Sequence, residues 1–178
     1  MKKILPMRNV VDYAHHPLRV DWMDMFLCAR CRFFLGNSSG PYLMASVFGV
    51  PVALANQIPV SVVLPFGNKD IGIPKLLWST KEQRLLTFPE ILGSPIGNMR
   101  LTHEYREAGI EVIDNTPEDI LGLALEQLEK TEGQPPTCAA IDEDLQARFK
   151  ALMKSGHYSY GCESRVGRDF LRKHATFL

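Results

Sequence analysis

The sequence predicts an α/β fold in which helices cover a parallel sheet, and three observations carry that expectation. Residues 32–56 read as a strand, a tight polar turn, a short helix and a second strand. Apolar runs of strand length then alternate with amphipathic helical stretches along the chain, the pattern from which parallel sheets are built. Helix starts are also signalled chemically, most plainly at Thr116, Pro117 and Asp119: a threonine cap, a proline at the first helical position and an acid at the third.

In chain order, residues 9–13 read as a first strand, and residues 14–17 leave its carboxyl end as a loop carrying His15 and His16. In an open parallel sheet the ligand crevice lies outside the carboxyl ends of the strands. Either imidazole can therefore donate to a phosphate oxygen or act as an acid or base; the alternative is a solvated loop residue ahead of Pro17. Asp21 and Asp24 open a helix running to about Arg30, with Met23, Phe26 and Leu27 on one face, which makes Asp24 structural rather than catalytic.

The strand at residues 32–35 stops at Gly36. The turn is Gly36, Asn37, Ser38, Ser39 and Gly40, and Pro41 starts the next helix because its fixed φ and missing amide hydrogen suit that position. Met44, Val47 and Phe48 offer an apolar stripe, Gly49 fits a left-handed cap, and Val52 begins the second strand. A crossover this short joins parallel neighbours. The turn thus lies at the carboxyl end of a strand and the amino end of a helix, where free amides and the helix dipole favour an anion, and small residues let a phosphate approach the backbone. A turn that binds nothing is the plainer alternative.

From residue 56 to 97 the texture changes: Pro59, Pro65, Pro74, Pro89 and Pro95 break the chain and Gly67, Gly72 and Gly93 loosen it, so the segment reads as mostly irregular. A long loop at the carboxyl edge of a sheet can close over a ligand. Asn56 and Gln57 open it at the crevice, Lys75 and Arg84 are its candidate cations for a diphosphate, and Thr87 with Glu90 forms a capping box around Pro89. Leu101, Tyr105 and Ala108 mark a helix closed by Gly109, residues 110–113 a strand, and Ile120, Leu121, Ala124, Leu125 and Leu128 the buried face of the helix after Thr116. A proline-containing break at residues 133–137 divides a lobe of residues 1–132 from a carboxyl-terminal helical extension, residues 133–178, in which Leu145, Phe149 and Leu152 make one amphipathic helix and residues 165–173 another.

Twenty basic and twenty acidic residues cancel, leaving no electrostatic footprint for nucleic acid or an anionic membrane. Pro6 and Arg8 interrupt the only apolar run near the start, and no segment approaches the ~20 apolar residues of a membrane helix, so a cytoplasmic location is expected. Cys28 and Cys31 form a Cys-x-x-Cys pair, but Cys138 and Cys162 complete no zinc pattern; packing thiols are the reading, with a redox pair as the alternative.

Residues 38–52, SSGPYLMASVFGVPV, are similar to the DSGPMHLAAALGVPV type of segment in the heptosyltransferases, two-lobed (GT-B) glycosyltransferases in which this turn sits under the diphosphate of a nucleotide sugar. Ser39, Gly40, Pro41, Ala45, Gly49, Val50, Pro51 and Val52 match; Ser38 replaces the aspartate and Leu43 the histidine. A closer likeness is to a family of bacterial proteins described as glycosyltransferases of the same class. It runs through YAHHPLRVDWMDMFLCARCRFFLGNSSG, FGVPVALAN, IPKLLWSTKEQRLLTFPEIL, GIEVIDNTPEDI and SRVGRDFLRKH, and so covers most of the chain. Members of that family are about twice as long, and this chain resembles their carboxyl-terminal half.

The resemblance implies a Rossmann-like lobe that binds a nucleoside diphosphate sugar and takes part in glycosyl transfer to an acceptor, in bacterial surface-glycan synthesis, with a partner subunit or an amino-terminal lobe supplying the acceptor side. The lobe would stabilise charge on the departing diphosphate through amides and a cation such as Lys75 or Arg84, with no metal and no cofactor. In many such enzymes a glutamate holds the nucleotide ribose; its usual position corresponds to Met44 here, which leaves Glu90 as a substitute. His15 or His16 is the base this chain can offer. The competing expectations are a non-catalytic nucleotide-binding module or subunit of a split enzyme, and a nucleotide-sugar epimerase.

Overall fold

The computed structural model describes residues 3–65, 67–133 and 139–178. Helix α1 (Asp21–Arg30) ends at Cys31, whose backbone turns extended. Strand β1 (Phe34–Gly36) leads through the polar turn to α2 (Pro41–Val47), and Gly49, at φ 73°, reverses the chain into β2 (Val52–Gln57). Strand β3 (Ile71–Pro74) runs through Lys75 directly into β4 (Leu76–Ser79), so one extended stretch serves two sheets. Strand β5 (Arg84–Leu85), α3 (Phe88–Leu92), α4 (Thr102–Ala108), β6 (Ile110–Ile113) and α5 (Pro117–Thr131) follow. The described chain closes with α6 (Ala140–Ala151), β7 (Arg165–Val166) and α7 (Arg168–Lys173).

The main sheet is parallel throughout, in the order β1, β2, β3, β7, with Phe34 beside Val52, Ala53 beside Ile71, and Ile71 beside Arg165. Helices flank it, which gives the α/β architecture expected from the sequence and one compatible with a Rossmann-like fold. A smaller antiparallel sheet, β5-β4-β6, pairs Leu76 with Ile113 and Ser79 with Arg84. One apolar core joins the two: Ile71, Ile73, Leu77, Phe88, Leu123, Phe149 and Phe170 are all buried in it. Phe88 meets Phe149 edge to face at 5.2 Å, the arrangement favoured by ring quadrupoles. The segment from residue 140 onward thus supplies β7 to the main sheet and Leu145, Phe149, Phe170 and Leu171 to its core.

Several expectations change. Residues 9–13 make no strand: their amides bond locally, Val10 N–H to the Met7 carbonyl and Tyr13 N–H to that of Val11, and a single helical turn, Tyr13–His15, follows. Residues 56–97 are largely ordered, because their prolines sit at element ends, Pro74 closing β3 and Pro89 lying in the first turn of α3. Strand β6 joins the antiparallel sheet rather than the parallel one. The buried face of α5 is Leu123, Glu126 and Gln127, with Leu121 and Leu125 exposed. Two polar residues fit that face because they bond backbone on neighbouring segments: Glu126 accepts from Arg168 N–H, and Gln127 donates to the Lys69 carbonyl. Helix α1 has the expected bounds, but its cap is Val20, with no side-chain cap bond. Among the described residues no helix is long and apolar enough to cross a membrane.

The amino-terminal third differs from the rest. Helix α1 has no buried residue, and the stripe expected on α2 faces outward: Val47 is 82% and Phe48 50% exposed, while Ala45 is the residue that packs inward.

Candidate functional site at the carboxyl edge of the parallel sheet

Because all four strands of the main sheet run the same way, their carboxyl ends share one edge. The turn after β1, Ile58 and Pro59 after β2, Lys75 after β3 and Arg168 beyond β7 lie along it. This is the edge where open parallel sheets place their ligands.

Asn37, Ser38, Ser39 and Gly40 are exposed at the end of β1, as expected. Asn37 folds the turn: its Oδ1 accepts from Ser39 N–H at 3.2 Å, an Asx turn that occupies one of the amides a phosphate could use. Gly40 already has helical angles, φ −43° and ψ −39°, and no side chain caps α2, so the serine hydroxyls are not consumed by the helix. A Cβ on Gly40 would meet nothing within 4 Å, whereas one on Gly36 would strike the Phe34 ring at 2.5 Å. A side chain at Gly36 would thus have to displace the Phe34 ring, while Gly40 leaves open space before the turn.

The other expected residues are placed variously. Asn56, at φ 55°, and Asn115 exchange bonds: Asn56 N–H donates to Asn115 Oδ1 at 2.6 Å, Asn115 N–H donates to Asn56 Oδ1 at 2.7 Å, and Asn115 Nδ2 donates to the Pro74 carbonyl at 2.8 Å. Gln57 is buried and donates to the Ala55 carbonyl. Asn56 ties β2 to the segment after β6, Gln57 bonds within its own strand, and both side chains are thereby occupied. Lys75 does stand there, with Nζ 2.6 Å from Asp114 Oδ1; Asp114 is largely exposed, so this pair can be exchanged for an incoming anion at little cost.

Arg84 and Glu90 belong to the antiparallel sheet and α3. Arg84 donates from both terminal nitrogens to Glu90, at 3.0 and 2.6 Å, and also pairs with Glu82. Glu90 accepts from Thr87 N–H and Thr87 Oγ1, completing the capping box. The Arg84 fork, with the Thr87 donors, pulls the Glu90 carboxyl down to about 2, and Glu90 raises the Arg84 pKa in return. These two residues are satisfied by each other, which disfavours both as donor-site contacts.

His15 and His16 sit in the loop before α1, without the strand that would have carried them to the edge. His15 Nδ1 lies 2.8 Å from Asp12 Oδ2, and that contact holds the Asp12 carboxyl below its ordinary range. His16 Nδ1 accepts from Leu18 N–H at 3.2 Å. Asp12 also accepts from Ile4 N–H, so the Asp12–His15 pair is an oriented acid–base couple lining a recess of about 410 Å³. No hydrogen bond joins either imidazole to residues 37–40 among the described residues.

Cys28 and Cys31 are free thiols, part-buried, and burial pushes both up. Cys31 Sγ donates to the Cys28 carbonyl. Raised, sheltered thiols are poor nucleophiles, which favours the packing reading. Cys138 lies outside the described residues. Among the described residues no group of three or more His, Cys, Asp or Glu is placed to hold a metal ion.

The sequence reading missed a second feature of the same edge. An open recess of about 430 Å³ lies beyond the end of β2, lined by Tyr42, Ile58, Pro59, Val62, Arg100 and Tyr158. Its members come from four separate segments, so no local motif announces it. Tyr42 alone was within reach, since it sits one residue past the proline that begins α2.

No family model, no curated protein and no solved structure matches this chain.

Proposed function

We propose that this chain is the donor-binding lobe of a two-lobed glycosyltransferase, holding the diphosphate of a nucleoside diphosphate sugar at residues 37–40. The observation that carries the reading is the position of that turn: small, exposed and hydroxyl-bearing, at the carboxyl end of a parallel strand and directly before a helix. The likeness of residues 38–52 to the diphosphate turn of heptosyltransferases agrees with it. Helix α2 has only seven residues, so its dipole contributes little, and amides, the hydroxyls of Ser38 and Ser39, and Lys75 released from Asp114 would carry the binding. Charge growing on the departing diphosphate would be stabilised by those same groups. Among the described residues the two candidate bases are bonded elsewhere, His15 to Asp12 and His16 to Leu18 N–H, which favours a second reading, a nucleotide-binding subunit that relies on another lobe for chemistry.

Calorimetric titration with UDP, GDP, ADP and CMP, each against Ser39→Asp, tests the proposal. Binding of one nucleotide to the native chain and its loss in the variant supports it; equal affinity in both overturns it. Glycosyl transfer by the chain alone would exclude the subunit reading.

A further inference from the structure

The recess beyond β2 is built, not incidental. Ser159 N–H donates to the Ser61 carbonyl at 3.1 Å, and Ser159 Oγ accepts from Leu64 N–H at 3.0 Å and lies 3.3 Å from the Leu64 carbonyl. These bonds fix the backbone beside Tyr158 to the segment that carries Ile58, Pro59 and Val62. Ser164 Oγ donates to the Pro65 carbonyl and secures the same two segments again. On the opposite side, Glu104 accepts from Arg100 N–H at 2.8 Å and Leu101 N–H at 2.7 Å, and Tyr105 OH donates to the neighbouring Met99 carbonyl at 2.5 Å, so the backbone presenting Arg100 is pinned on both flanks.

The chemistry of the lining is one-sided. Two phenols, three apolar side chains and one guanidinium face the space, and no carboxylate lines it. Burial and the nearby Tyr158 raise the Tyr42 hydroxyl, so it stays a neutral donor at ordinary pH. Arg100 has no ion-pair partner among the described residues, whereas Arg32, Arg84, Arg148, Arg168 and Arg172 are each paired with a carboxylate. A planar guanidinium presents paired donors matched to a carboxylate or phosphate, and aromatic walls suit the flat face of a ring. The volume falls within the range of small-molecule sites.

We infer that this recess binds a ring bearing a phosphate or carboxylate, with Arg100 on the oxyanion and Tyr42 and Tyr158 on the ring. The inference does not depend on the glycosyltransferase reading: it concerns residues 42, 58–62, 100 and 158, not the turn at 37–40. Within that reading the ring belongs to the transferred sugar or to the acceptor.

The ring resonances of Tyr42 and Tyr158, assigned by substitution, report occupancy directly during NMR titration with glucose 1-phosphate, glucuronate and neutral glucose. Both anions are expected to move the two tyrosines with saturation below about 10 mM, and glucose is not. Arg100→Gln should weaken glucose 1-phosphate about tenfold, Arg100→Lys less, and Tyr158→Leu about threefold, all on exposed positions where the fold is not at stake. If UDP-glucuronate binds more tightly than UDP and Arg100→Gln removes the gain, the ring is the donor's; if glucose 1-phosphate binds equally well with UDP present and UDP-glucuronate gains nothing, it is the acceptor's. Either result supports the site. Tyrosine resonances that ignore both anions, or an affinity that Arg100→Gln leaves unchanged, would overturn it. The nucleotide titration reports on Ser39 and this one on Arg100, so each can fail alone.

Discussion

The amino-terminal third and the remainder of the molecule use their apolar residues to opposite ends. From β2 onward the large side chains turn inward, and Ile71, Ile73, Leu77, Phe88 and Phe149 are at most 1% exposed. Before β2, the main-sheet core reaches only as far as Phe33, and a small satellite of Ala45, Val52 and Leu54 gathers Cys28, Phe34 and Tyr42 beside it. Of the twenty-two large hydrophobic residues exposed among the described ones, fifteen lie between Ile4 and Phe48. Strand β1, three residues long and paired only with β2, ends the sheet on that side. The difference teaches where stability resides: an amphipathic pattern guarantees an apolar stripe, but only a neighbour makes it a core.

The largest effect should come from testing that contrast directly. Phe149→Ala removes a fully buried ring from its contact with Phe88 and is expected to cost about 3–5 kcal/mol, whereas Phe26→Ala, on half-exposed α1, should cost less than about 1 kcal/mol. Urea denaturation of the two variants checks both; comparable losses would mean that α1 is packed in solution. A smaller effect is expected where charge replaces packing. Arg172 donates to both oxygens of Asp142, at 2.6 and 2.7 Å, and the Asp142 side chain is 1% exposed. Arg172→Ala would leave the buried Asp142 carboxylate with the Ala139 N–H but without its counter-charge and should cost about 2 kcal/mol, read from the same denaturation. Arg172→Gln, which retains a donor, should recover part of that loss.

The smallest effect is in pH. Glu90 is ionised in the folded chain down to about 2, against 4.5 for an ordinary glutamate. A carboxyl depressed on folding stabilises fully above its unfolded pKa and loses that contribution as pH falls through the folded one. Stability should therefore decline between pH 4.5 and about 2, and Glu90→Gln should flatten that part of the profile. The carboxylate is 42% exposed, so screening limits its share to about 1 kcal/mol.

Legibility in the sequence followed how local each signal was. The bounds of α1, the proline start of α2, the left-handed Gly49, the helix end at Gly109 and the Thr116 cap are set by residues within one turn of one another, and the structure has them as expected. Asn56 looked like a crevice residue because its partner, Asn115, lies 59 positions away, and no pattern around Asn56 announces a paired bond at that distance. Lys75 was visible as a cation, but Asp114 beside it was not. Arg84 and Glu90 were each weighed for a ligand while their mutual fork, six residues apart across a strand and a cap, used them both. The recess at Tyr158 and Arg100 escaped for the same reason: it exists only where four distant segments meet.

The central claim is that the turn at residues 37–40 receives a diphosphate, and backbone amide NMR tests it most directly. Titration with UDP and GDP should shift the amides of Ser38, Ser39 and Gly40 first and furthest, followed by Lys75 as it leaves Asp114. Nucleotide binding that moves other amides and leaves those three in place, or a folded chain whose spectrum ignores every nucleoside diphosphate, would contradict it.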